Sequence, residues 1–185
     1  MSLTYVGNQF PFYIPSIYKK DEKGKLIIKP NMDECPWVFQ TMVLDAYRLL
    51  DGENAHVLDN KLYVEASYKK VKRPANMMAE FRDSEGVVRG WIEADNQRKH
   101  INFLTAFERK SEWEDGNFIL VGLPPYPERD FAKPTLVNYD DLQKVSVRLN
   151  FVNLNAYLVA HNMTGILFKS GCGKKYAKIL RADYE

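Results

Sequence analysis

From His56 onward the chain alternates. Val57 and Leu58 lead to an Asp59-Asn60 turn, after which Leu62, Val64, Ala66 and Tyr68 face away from Tyr63, Glu65, Ser67 and Lys69. A period of two sustained over that length predicts a half-buried strand. The same period returns at 101–107, where Ile101, Phe103, Thr105 and Phe107 alternate with Asn102, Leu104 and Ala106. It returns again at 145–151, where Val145, Val147, Leu149 and Phe151 alternate with Ser146, Arg148 and Asn150. Both stretches predict strands, and so do 118–121 after the Asp115-Gly116 turn, and 135–137. The Asp83-Ser84-Glu85-Gly86 turn makes 77–92 a hairpin. Leu26, Ile27 and Ile28, closed by Pro30, form a short strand that pairs back towards Tyr13. In TYVGNQFPFYIP (4–15), Gly7, Pro11 and Pro15 exclude a helix and leave an extended or edge strand.

One stretch has a different period. Between 33 and 50, Val38, Met42, Ala46 and Leu49 form one row and Phe39, Val43, Tyr47 and Leu50 a second, which is a wide helical face. Asn31 or Asp33 can cap it, Pro36 fits the first turn, and Gly52 can stop it. One principal helix around 33–50, packed on a sheet, is predicted. At the far end TGILFKSGCGKKYAKILR (164–181) reads as a hairpin, with Gly171 and Gly173 allowing the reversal. No repeat, low-complexity tract or linker divides 1–185. The expected fold is a single β-rich α+β domain, a curled or barrel-like antiparallel sheet with one principal helix.

Charge and composition change this picture in three places. The net charge is only +2, so a partner is implied by where charges sit and not by their sum. Aromatic residues are 13 %, mostly Tyr and Phe, which favours strands and stacking surfaces over a helical bundle. Cys35 and Cys172 are far apart and outside any CxxC pair, which gives no support to a disulfide framework or a zinc ribbon and points to a reducing cytoplasm. No apolar run approaches the length of a membrane-spanning helix.

Catalytic chemistry finds little purchase. Gly173-Lys174 is followed by Lys175, and Phe168 stands where a phosphate-binding loop needs its first glycine. His56, His100 and His161 are isolated, and a Cys172/His161 pair lacks a third group. The carboxylates fall in turns, where they are expected anyway. No catalytic residue, metal site or cofactor is predicted.

Binding explains more. Lys69, Lys70, Lys72 and Arg73 end one strand, and Lys169, Lys174, Lys175, Lys178 and Arg181 line the last hairpin. With Arg148 they are candidates for phosphate contacts, and Tyr68, Trp91 and Tyr176 are candidates for stacking on bases. The plainer reading of each run is a solvated strand end, or a lysine-rich edge that blocks sheet-to-sheet aggregation. A protein-binding module is the alternative, docking through the proline-stiffened loop around Tyr126 on a host factor; a hydrolase or nuclease comes third. A homo-oligomer is compatible with all three.

The order of a strand and helix over 26–50, then KVSVRLNFV (144–152), GILFKSG (165–171) and KILR (178–181), resembles the oligonucleotide-binding-fold single-stranded-DNA-binding proteins of tailed bacteriophages. The resemblance covers the last quarter of the chain and, loosely, the helix. It implies an OB-like barrel and a non-catalytic single-stranded-DNA binder. The ending Asp183-Tyr184-Glu185 is much shorter than the acidic tail with which such proteins recruit replication partners.

Overall fold

A computed structural model describes residues 14–40, 44–69, 73–82, 86–122, 132–171 and 175–184. In chain order these form β1 (Tyr18–Lys20), β2 (Leu26–Pro30), α1 (Trp37–Gln40), β3 (Leu44–Leu49), β4 (Glu53–Leu58), β5 (Lys61–Tyr68), β6 (Met78–Arg82) and β7 (Val88–Glu93). There follow α2 (Ile101–Phe107), β8 (Gly116–Val121), β9 (Thr135–Asn138), β10 (Lys144–Val145), α3 (Phe151–Ala160), β11 (Gly165–Ser170) and β12 (Tyr176–Leu180). The protein is β-rich, with three antiparallel sheets and few helices. No helix among the described residues is long and apolar enough to cross a membrane.

The elements group into two compact units. One unit, continuous among the described residues over Asp51–Asp141, holds a six-stranded sheet in the order β6-β7-β5-β4-β8-β9. Its β4–β5 hairpin turns on Asp59 and Asn60, whose φ angles of +50° and +54° suit the two-residue turn that matches strand twist. One sheet face carries Ala55, Val57, Leu62, Val64, Phe118 and Leu120, which pack with Phe103 and Ala106 of α2. Trp113 closes this core: its indole N–H donates to the Phe107 carbonyl at 2.8 Å, and its ring stacks on Phe107 at 5.3 Å.

The discontinuous unit joins Ile14–Leu50 to 142–184. Its four-stranded sheet runs β10-β3-β11-β12, and β1 pairs with β2 as a separate ribbon. Ile166, Phe168, Ala177 and Ile179 on one sheet face pack with Leu154 and Leu158 of α3 and with Ile17 and Val38. Cys35 is buried here, its thiol donating to the Asn31 and Ser16 carbonyls at 3.4 Å. Burial, with help from the Glu34 carboxylate, pushes that thiol up to about 12.

Several expectations hold at the level of strands. The hairpins at 77–92 and 164–181 and the strands over 62–68, 118–121 and 135–137 are present, although 83–85 and 172–174 lie outside the described residues. The strand expected over 4–15 also lies outside them, apart from Ile14 and Pro15.

Four expectations are overturned. The principal helix around 33–50 is a single turn, α1, followed by strand β3, which is held between β10 and β11 by ladders that outweigh its helical spacing. Residues 101–107 are helix α2, because Phe103 and Ala106 reach the core at a spacing of three. The strand expected at 145–151 pairs only through Lys144 and Val145. Val145, Val147, Leu149 and Phe151 all pack on the core, so the alternation correctly marked inward side chains in a segment with little ladder bonding. Asn150 then caps α3, its Oδ1 accepting from the Val152 and Asn153 N–H groups at 3.1 and 3.2 Å. Finally, no barrel closes among the described residues: β6 and β9 end one sheet, β10 and β12 the other.

Candidate nucleic-acid interface

Register across the four-stranded sheet decides which side chains share a face, since directly opposed residues point the same way. Lys144 lies opposite Tyr47, Tyr47 opposite Leu167, and Leu167 opposite Lys178. One step along, Asp45 lies opposite Lys169, and Lys169 opposite Tyr176. These two rows face away from Phe168, Ala177 and Ile179, which belong to the core. The outward side of the sheet thus carries Lys144, Tyr47, Asp45, Lys169, Tyr176 and Lys178 around Leu167, which is only 1 % exposed, while the inward side carries Ala46, Ile166, Phe168, Ala177 and Ile179.

The rows are tied together. The Lys169 ammonium sits 5.8 Å from the centroid of the Tyr176 ring, and the Lys144 ammonium pairs with the Asp45 carboxylate, whose hydrogen bond holds it above the usual lysine range. Lys175 is exposed at the start of β12, where its backbone N–H donates to Ser170 Oγ at 3.1 Å. Arg181 follows the end of β12; its N–H donates to the Thr164 carbonyl at 2.8 Å and its guanidinium reaches Asn162 Oδ1 at 3.5 Å. β12 is the last strand of the sheet, but the segment before β1 covers part of its edge. The Lys178 N–H donates to the Pro15 carbonyl at 2.8 Å, and the Ile17 N–H to the Lys178 carbonyl at 3.0 Å. That cover protects the backbone at Lys178 from pairing with another sheet, so aggregation control by lysine accounts for less of this strand.

Of the expected site residues, Lys169, Tyr176 and Lys178 fall on this face, with Lys175 and Arg181 at its ends. Arg148 is exposed in the segment between β10 and α3, off the sheet. The other group belongs to the continuous unit. Tyr68 ends β5 half-buried, Lys69 is exposed beside it, and the Arg73 guanidinium donates to the Met77 carbonyl at 3.0 Å. Lys70, Lys72, Lys174 and the Tyr126 loop lie outside the described residues. Trp91 is a correction: only 1 % exposed and packed against Tyr63, with His56 5.9 Å away, it is core and offers no face to a base.

Two members of the surface escaped the sequence reading. Tyr47 was hidden inside the expected helix, and Lys144 stood at the end of a strand whose partner was unknown. The alternation of Asp45, Tyr47 and Leu49 with Leu44, Ala46 and Arg48 was the available signal. Among the described residues no three His, Cys, Asp or Glu side chains gather as metal ligands would. Compared with known proteins, the chain matches no family model and no curated sequence.

Proposed function

We propose that the protein binds single-stranded nucleic acid, DNA in the first instance, on the lysine and tyrosine face of its four-stranded sheet, and carries out no chemistry on it. The observation that carries this reading is the pair of cross-sheet rows, Lys144-Tyr47-Leu167-Lys178 and Asp45-Lys169-Tyr176, flanked by Lys175 and Arg181. Ammonium groups distributed over one face suit a nucleic-acid backbone, and tyrosine rings among them suit unpaired bases without regard to sequence. On this reading the sheet is used as an OB-like surface, in the manner of the phage single-strand binders that the C-terminal quarter resembles. On the same reading the protein works inside a cell.

The test is fluorescence anisotropy of labelled single-stranded DNA, duplex DNA and single-stranded RNA at two salt concentrations. Exchanging both Lys175 and Lys178 for Glu is expected to weaken single-strand binding by about tenfold or more and to lower the salt slope by roughly one to two. Unchanged affinity would remove the hairpin from the site. A second reading, docking on a protein partner, is favoured by α3, whose outward stripe exposes Val152 at 65 % and Val159 at 53 %.

A further inference from the structure

We propose that a cleft in the continuous unit binds a guanine base, with Glu53 and His100 accepting from its donor edge and Lys99 donating to its carbonyl side. The cleft has a volume of about 340 Å³ and lies where the start of α2 faces β4 and β5. That is the lower end of the range for small-molecule pockets. Ala55 pairs opposite Val64 and both pack with Phe103, so the strand alternation brings Glu53, Val64 and Ala66 to the α2 side of the sheet. The helical side supplies Lys99, His100 and Phe103.

His100 is the unusual element. It is 3 % exposed, and its Nδ1 lies 2.7 Å from Asp95 Oδ1. The backbone N–H of Asp95 also points at Nδ1, at 3.3 Å. Both contacts cannot be hydrogen bonds to one neutral tautomer. The shorter contact decides, because an unprotonated Nδ1 would set its lone pair against a carboxylate. In a neutral ring Nδ1 therefore carries the hydrogen, and Nε2 is an acceptor for which no partner stands among the described residues. A buried imidazole fixed in this way on the wall of a cleft is prepared for a ligand that donates.

The remaining groups narrow the class. A carboxylate accepts two parallel N–H groups, and an ammonium needs an acceptor nearby. Val64, Ala66 and Phe103 back the cleft almost fully buried, and Asn54, Glu65 and Ser67 complete its lining. Guanine presents adjacent N1–H and amino donors on one edge and the O6 and N7 acceptors on another, within one plane. Adenine has no N1–H, and a simple amine would satisfy Glu53 while repelling Lys99. The site is independent of the lysine and tyrosine face, since all of its residues belong to the continuous unit.

Calorimetric titration of the full chain with guanosine, inosine and adenosine monophosphates tests the assignment. The guanine nucleotide is expected to bind at least about tenfold more tightly than the adenine one, with inosine, which lacks the amino group, in between. Glu53→Gln, at an exposed position, should abolish that preference at unchanged melting temperature, and His100→Gln should weaken all donor-edge binding. Equal affinity for the three nucleotides, competition by ribose 5-phosphate alone, or no heat at about 10 mM ligand would overturn the proposal. The variant with Lys175 and Lys178 exchanged for Glu should bind guanosine monophosphate normally. Failure of the cleft and failure of the single-strand surface are thereby separated.

Discussion

The continuous unit makes its sheet from one run of chain, and its β4–β5 hairpin closes through two residues. The discontinuous unit sets Leu49 beside Gly165 and Tyr47 beside Lys144, so its sheet exists only after segments from both ends of the described chain have met. Loop closure on that scale must precede any of the packing that rewards it. The two also differ in the groups they bury. The continuous unit buries His56, whose Nδ1 bonds Asn117 Oδ1 at 2.9 Å, and the phenol of Tyr63, which burial holds above the usual tyrosine range. The discontinuous unit buries the Cys35 thiol and the phenol of Tyr18, and half-buries that of Tyr184. Both units thus bury a phenol that must stay protonated, Tyr63 in one and Tyr18 in the other; the discontinuous unit adds a thiol and the continuous unit a histidine that must stay neutral.

The sharpest way to break this contrast is to open the core that the distant segments share. Phe168 is fully buried between Ala46 and Ala177 in the ladder, and Phe168→Ala should cost about 3–5 kcal/mol of stability by denaturant unfolding. A cost under about 1 kcal/mol would show that the four-stranded sheet does not depend on this junction. A smaller effect comes from one glycine in each unit. A Cβ at Gly165 would lie 2.8 Å from the Ile179 carbonyl oxygen, and one at Gly52 would lie 2.2 Å from that of Leu120. Gly165→Ala and Gly52→Ala should each cost roughly 1–3 kcal/mol in thermal melts, because backbone and not a flexible side chain stands in the way.

The smallest effect is the dependence on pH. Burial lowers the His56 pKa, against the raising influence of Asn117 and Asp115. Its folded value thus lies below the unfolded 6.5, and the unfolded chain binds the proton first. Stability from this group is full above about pH 6.5 and falls as the solution is acidified. In the other unit, burial raises the Tyr18, Cys35 and Tyr184 groups. Their contribution is full below the unfolded values and is lost as pH rises past about 9 to 10. Melting curves from pH 5 to 10 should decline at both ends, with His56→Gln flattening the acid side only. An acid decline that persists in His56→Gln would assign it elsewhere.

Legibility from sequence followed the same division. Where a strand's partner is its neighbour in the chain, as at β4 and β5 or β11 and β12, alternation and turn residues located the elements. Where the partner is distant, local spacing misled. The rows of 33–50 satisfy a helix on their own, and only the ladders to β10 and β11 make 44–49 a strand. At 101–107 the opposite error arose, since Phe103, Ala106 and Phe107 fit a helical stripe as well as Ile101, Phe103 and Phe107 fit a strand. The candidate surface was half legible: the hairpin lysines and Tyr176 could be read, whereas Tyr47 and Lys144 join them only through register. Trp91 was misread because nothing local tells a buried indole from a stacking one.

The buried thiol of Cys35 has a practical side. Nucleophilic sulfur is thiolate sulfur, and a thiol held near 12, with its hydrogen committed to two carbonyls, is almost entirely protonated at neutral pH. In the folded protein it is silent towards alkylating reagents. Once the core around Val38 and Leu154 opens, it regains ordinary reactivity. The rate at which the Cys35 peptide gains mass is thus a clock for the opening of the discontinuous unit, already built into the chain.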